Sequence, residues 1–176
     1  MDELIRNSAR DIVALLESGA ISIDDTLDAL AARIAEVDSE INALPILCFE
    51  RARARASAQD FSGSILAGIP VAIKDLTAVA GVRHTSGSML YRDRVAEKSD
   101  LMVERLEANG GVIYAKSNTP EFGTGGNTFN DVFGATRNPY DTGRSAGGSS
   151  GGAAAALASG CAWLAQGSDL GGSLRT

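Results

Sequence analysis

The stretch Leu101-Met102-Val103-Glu104-Arg105-Leu106-Glu107-Ala108-Asn109-Gly110-Gly111-Val112-Ile113-Tyr114-Ala115 decides the fold class. Ser99 precedes it as a candidate N-cap, residues 101–108 read as a helix, Gly110 is placed as its stop, and residues 112–115 read as a strand. A helix followed this closely by an apolar strand is the rhythm of a βαβ unit, so the chain is expected to be α/β with parallel strands. Upstream, residues 66–73 form an apolar run that reads as a buried strand ending in Lys74-Asp75. Downstream, residues 153–159 are alanine-rich and predict a helix packed closely on the sheet, with residues 162–165 as the next strand. Residues 121–152 are poor in apolar side chains and rich in Gly, Asn and Thr, which predicts a long loop of the kind that carries function.

The first forty residues predict two helices. Ile12, Val13, Leu15 and Leu16 share one face, and Gly19 stops that helix. Ser22 with Asp25 three residues on has the form of a capping box, ahead of Leu27, Leu30, Ile34 and Val37 at helical spacing. Residues 45–49 suggest a short strand, and residues 51–58, an Arg–Ala alternation, a solvated surface helix. With 44% hydrophobic and 22% charged residues the composition is that of a soluble globular chain. A net charge of −6 argues against a nucleic-acid surface, and no apolar stretch is long enough for a membrane span. The acidic N-terminus and the isolated Cys48 and Cys161 point to free thiols in a reducing cytoplasm. One His and two lone Cys do not make a zinc site. His84 and Cys161 read as structural and Trp163 as core.

Two glycine-dense loops carry the chemistry: Ser145-Ala146-Gly147-Gly148-Ser149-Ser150-Gly151-Gly152 and Gly167-Ser168-Asp169-Leu170-Gly171-Gly172-Ser173. Such loops leave backbone N–H groups bare, and a serine beside one can be a nucleophile with the loop as its oxyanion hole. Residues 147–151 satisfy G-x-S-x-G, but a nucleophile elbow needs a His after the Ser, and His84 precedes it. A phosphate nest at residues 147–152 is physically allowed, yet no lysine or metal-binding acid stands nearby in sequence and no Walker A pair occurs. Serine without histidine leaves lysine as the base. Lys74 is the candidate, because burial at the end of an apolar strand would lower its pKa.

Taken in order, four blocks resemble the amidase signature family: Gly68-Ile69-Pro70-Val71-Ala72-Ile73-Lys74-Asp75, Ala115-Lys116-Ser117-Asn118-Thr119-Pro120-Glu121-Phe122, residues 147–152, and residues 167–175. The resemblance implies a mixed sheet covered by helices, with two leading helices over residues 1–40. It implies a Ser–Ser–Lys triad: Ser173 the nucleophile, Ser149 the bridging serine after a cis peptide bond, and Lys74 the base. Backbone N–H groups of Leu170, Gly171, Gly172 and Ser173 would form the oxyanion hole. Thr124, Gly125 and Gly126 resemble the family's substrate-side loop. Asp169 and Arg175 would brace the nucleophile loop by pairing, and Ser150 would be a hydrogen-bonding loop residue.

The implied activity is hydrolysis of a carboxylic amide C–N bond in a small molecule through a serine acyl-enzyme, with no metal and no organic cofactor. The family's aminoacyl-tRNA amidotransferase component, which works in a complex, shares these motifs. It typically has Met-Asp-Glu-Phe and Asp-Thr-Gly-Gly-Ser where this chain has Thr119-Pro120-Glu121-Phe122 and Asp169-Leu170-Gly171-Gly172-Ser173. Both departures favour a stand-alone amidase. Family members are longer, so residues 1–176 are expected to be the N-terminal portion of one domain, ending just after the nucleophile loop. Exposed apolar surface and strand edges, self-association and little activity of the segment alone are then expected; a catalytically silent segment is the alternative from another class.

Overall fold

The structure, a computed structural model, describes residues 2–175. Helix α1 spans Asp2–Ile5, and α2 (Ala9–Glu17) opens on a capping box in which Ser8 and Asp11 satisfy each other's backbone N–H groups. Helix α3 (Ile23–Ile41) opens on the equivalent Ser22–Asp25 box. Each such cap contributes about 1 kcal/mol and fixes where the helix starts. Gly19, with φ +69°, turns the chain between the two, and α3 buries Leu27, Leu30 and Ile34 in the core.

Strand β1 (Ile46–Leu47) and helix α4 (Phe49–Ala58) follow, then β2 (Pro70–Lys74), α5 (Leu101–Ala108) and β3 (Val112–Ser117). Beyond them lie β4 (Phe129–Asn130), β5 (Gly134–Ala135), β6 (Arg137–Asn138), β7 (Asp141–Ser145), α6 (Gly151–Ala158) and β8 (Leu164–Gln166). The main sheet has the order β1-β3-β2-β8. β1 runs antiparallel to β3, while β2 is parallel to both β3 and β8. The sheet is therefore mixed, as the resemblance implied. Helix α4 packs on β3, and α6 packs on β2, β3 and β8. β3 and β8 lie on opposite sides of β2, and these three parallel strands end at the same edge of the sheet. Crevices at such ends are where α/β sheets hold ligands.

Four expectations need correction. The strand expected over residues 66–73 begins only at Pro70. Before it Ala67 (φ +47°) and Gly68 (φ +90°) form a turn, whose Leu66 and Gly68 N–H groups donate to Asn109 and Gly110. An apolar run without a period cannot distinguish a buried turn from a strand. The N-cap of α5 is Asp100 rather than Ser99, whose hydroxyl instead accepts from Ala80 N–H at 2.9 Å. The helix at residues 51–58 is not merely solvated: Ala52 is fully buried, Arg53 pairs with Asp24 and Asp28, and Arg51 pairs with Glu107. Residues 121–152 are not one loop but two antiparallel ribbons, β4–β5 and β6–β7, ending in the first turn of α6.

Candidate active site

Lys74 is the last residue of β2, and every residue of that strand is buried. Its side chain reaches past the sheet's carboxyl edge, where Nζ meets Ser149 Oγ at 2.7 Å, Ser150 Oγ at 2.9 Å and Ser168 Oγ at 3.0 Å. Desolvation by burial pulls its pKa down to about 8, against the opposing charge of Asp169. Ser149 Oγ in turn lies 2.8 Å from Ser173 Oγ. The three residues expected to act together are thus brought together, from β2, from the loop before α6 and from the loop after β8.

The loop before α6 is shaped by close approach. A Cβ on Gly148 would sit 2.9 Å from Asn127 C, and one on Gly152 2.4 Å from Asn118 N. The Gly148–Ser149 peptide bond is cis. Thr128 brackets the same loop with one hydroxyl, donating to Gly147 C=O at 2.9 Å and accepting from Gly151 N–H at 3.0 Å. Ser150 does more than the loop bonding expected of it. Its hydroxyl donates to Ser168 C=O (3.1 Å) and accepts from Ser168 N–H (3.2 Å), and its own N–H donates to Ser173 C=O at 3.3 Å. Its Lys74 contact is therefore made as an acceptor.

Asp169 pairs with Arg175 through two bonds, 2.8 and 3.0 Å, and also accepts from Gly172 N–H at 2.6 Å and Leu174 N–H at 3.3 Å. The Arg175 guanidinium, with these N–H groups, holds the carboxyl well below the usual range. The pairing expected of Asp169 and Arg175 is present. One expectation needs refining: the Gly172 N–H, assigned to the oxyanion hole, is committed to Asp169. Thr124, Gly125 and Gly126 face Gly171, Gly172 and Ser173 across a cavity of about 360 Å³.

Two features escaped the sequence reading. Ser168 touches Lys74, and the one signal was its place beside Asp169 in a glycine-dense block. Beneath the site Lys116 on β3 pairs with Asp75 at 2.7 Å, both buried, and Asp75 also accepts from Thr85 N–H and Oγ1. Burial lowers the Lys116 pKa and Asp75 opposes that shift. His84 is buried, with Oγ of Ser86 3.3 Å from Nε2, and Cys161 and Trp163 sit in the core. Burial pushes the Cys161 thiol up to about 11. Among the described residues no group of three or more His, Cys, Asp or Glu side chains is placed to hold a metal ion, and no helix is long and apolar enough to cross a membrane.

A lysine and three serine hydroxyls are thus gathered at the carboxyl edge of the mixed sheet, with no histidine among them. Residues 25–176 match the amidase family, and the chain belongs to it. It is 42% identical over 176 residues to an acylamidase of Rhodococcus erythropolis, covering 96% of this chain and 36% of that protein. It is also 42% identical over 166 residues to a glutamyl-tRNA(Gln) amidotransferase subunit of Synechococcus sp. (strain CC9311), covering 91% of this chain and 34% of that one. The structure of 6-aminohexanoate cyclic dimer hydrolase superposes with a TM-score of 0.86 at 37% identity, over 93% of this chain and 34% of that one. The chain spans about a third of the length of the curated relatives it matches.

Proposed function

We propose that the chain carries the catalytic group of an amide hydrolase, with Ser173 as nucleophile, Ser149 as bridging hydroxyl and Lys74 as general base. The observation that supports this above the others is the unbroken contact line from Lys74 Nζ through Ser149 Oγ to Ser173 Oγ, in steps of 2.7 and 2.8 Å. A base must lie within hydrogen-bond reach of the proton it takes, and its pKa should lie near the working pH. Lys74, lowered to about 8, meets the second condition.

The hydrogen-bond directions around the amine suit this role. Ser150 Oγ–H is turned to Ser168 C=O, so Ser150 can only accept from Lys74. Neutral Lys74 then donates its two N–H bonds to Ser150 and Ser168 and turns its lone pair to Ser149. Ser149 gives its proton to Nζ and takes that of Ser173, whose oxygen attacks the amide carbonyl. The N–H groups of Leu170, Gly171 and Ser173 receive the oxyanion, since that of Gly172 is held by Asp169. Collapse breaks the C–N bond, and the leaving nitrogen receives the proton back from Lys74 through Ser149. Water, deprotonated along the same line, then hydrolyses the ester to release acid. Thr124, Gly125 and Gly126 form the wall opposite the oxyanion loop, and the Asp169–Arg175 pair holds that loop in place.

The substrate is a small carboxamide, as the name of the Rhodococcus acylamidase suggests. The amidotransferase relative offers a second reading, one component of a larger complex. Thr119-Pro120 and Leu170 depart from the pattern typical of that component and favour the stand-alone enzyme. The free thiols Cys48 and Cys161 suit a reducing cytoplasm. We assign the described residues to part of one domain, because α3, β2, β3 and α6 contribute to one hydrophobic core. The test is acyl trapping: acetamide or acetanilide is supplied with hydroxylamine. An acyl-enzyme partitions to the hydroxamate at a rate that saturates with hydroxylamine. Release of acid alone, with no hydroxamate at any concentration, would contradict a covalent intermediate.

A further inference from the structure

Ser173 borders two cavities, and only one of them is also bordered by Ser149 and Ser168. That second cavity, about 300 Å³, is bordered by three apolar residues, Leu76, Phe122 and Leu170, the last of which is fully exposed and borders both cavities. It is about twice the ~150 Å³ in which an apolar protein cavity accommodates benzene. Of its polar wall groups, Ser149, Ser168 and Ser173 belong to the reacting set, and the Asp169 carboxylate is taken up by Arg175 and by the Gly172 and Leu174 N–H groups.

Phe122 is the unusual residue of this wall. Its backbone is left-handed, φ +51° and ψ +23°, a conformation that side-chain-bearing residues rarely adopt and glycine adopts at little cost. Its N–H donates to Ser86 C=O at 2.8 Å, and its ring meets Tyr91 edge-on at 6.1 Å. Even so the ring is half-exposed. A left-handed backbone at a side-chain-bearing residue beside the reacting atoms is an outlier of the kind that points to function. Gly123 next to it is fitted to the same wall, since a Cβ there would lie 2.5 Å from Leu76 Cδ1.

We propose that Leu76, Phe122 and Leu170 form the subsite for the leaving amine, and that the enzyme takes amides whose amine is aromatic or otherwise apolar. The assignment rests on the reaction proposed above. The departing nitrogen must receive its proton from Ser149, so it leaves on the Ser149 side of Ser173, and this is the cavity on that side. The other cavity, bordered largely by glycine backbone and containing Gly171, receives the carbonyl oxygen and the acyl group. Phe122 is a specificity-determining residue that touches substrate and takes no proton.

The experiment uses Phe122→Gly, which removes the ring and suits the left-handed backbone, and Phe122→Leu, which keeps an apolar wall. Two substrate series are compared by kcat/KM: acetyl amides of ammonia, methylamine and aniline, and primary amides of acetic, butyric and benzoic acids. Phe122→Gly should lower the anilide-to-acetamide ratio about tenfold, in the range set by loss of one apolar contact surface. Phe122→Leu should hold that ratio within about threefold of the parent. A fall in the benzamide-to-acetamide ratio instead, or equal losses across both series, overturns the assignment. Labelling of Ser173 by a fluorophosphonate separates the two readings. With the full-length protein as parent, labelling with ratios that do not move refutes the subsite alone, whereas a parent that is neither labelled nor active refutes the reaction on which it rests.

Discussion

Titration of Lys74 should set the pH dependence of acylation at Ser173. Burial draws its pKa from 10.5 down to about 8. At ~1.36 kcal/mol per unit the shift corresponds to about 3 kcal/mol, and to about 2 once solvent reaching the Ser173 side is allowed for. The neutral fraction rises from about a tenth at pH 7 to about nine-tenths at pH 9, so acylation should quicken about tenfold over that interval. The sign for stability follows from the same shift. The folded pKa lies below the unfolded one, so between about 8 and 10.5 the unfolded chain holds a proton the native state has released. This contribution to stability is missing below pH 8 and grows as pH rises through that window. The assay is the second-order rate of fluorophosphonate labelling from pH 6 to 10, for the parent and for Lys74→Met. The variant should lose roughly 10²–10⁴ in rate together with the limb at pH 8. A parent profile that is flat, or whose midpoint lies near 10.5, would refute the reasoning, as would a Lys74→Met profile of unchanged shape.

Two further changes test how the site is held. Lys116→Met leaves buried Asp75 without its counter-ion and should cost about 3–5 kcal/mol in urea unfolding, with the double change Lys116→Met, Asp75→Leu recovering part of it; an additive double mutant would argue against the pair. Thr128→Val leaves the Gly147 C=O and Gly151 N–H unpartnered, which should cost about 1–3 kcal/mol and slow Ser173 labelling, while Thr128→Ser should retain both stability and rate. Unchanged labelling in Thr128→Val would show that the Ser149 loop is held by other contacts.

Features that depend on neighbours in sequence could be read directly. The Ser22–Asp25 box and the Leu27, Leu30, Ile34 spacing place α3, because caps and helical faces are local. The step from α5 to β3 is equally local, and it pointed to the α/β class. Features that depend on distant partners could not be read. Ser99 has the chemistry of a cap, but Ala80 takes its hydroxyl. The ribbons β4–β5 and β6–β7 are two to five residues per strand, too short to show a period, and rest on a polar web in which Asn118 bonds both Asn130 and Thr136. The candidate site divides in the same way. The glycine-dense blocks mark Ser149 and Ser173, and their order suggests Lys74. The Lys116–Asp75 pair, 41 positions apart, and the capture of the Gly172 N–H by Asp169 need the folded chain. Phe122 is conspicuous only once its backbone angles are known.

The central claim is that Ser173 is the nucleophile and that Ser149 and Lys74 activate it. Intact-mass and peptide mass spectrometry after fluorophosphonate treatment test it most directly. The account predicts one adduct, on the peptide containing Ser173, absent from Ser173→Ala and formed far more slowly in Ser149→Ala and Lys74→Met, with all three variants folded. An adduct on Ser149, Ser150 or Ser168 in the parent, or undiminished labelling of Ser173→Ala, would contradict it.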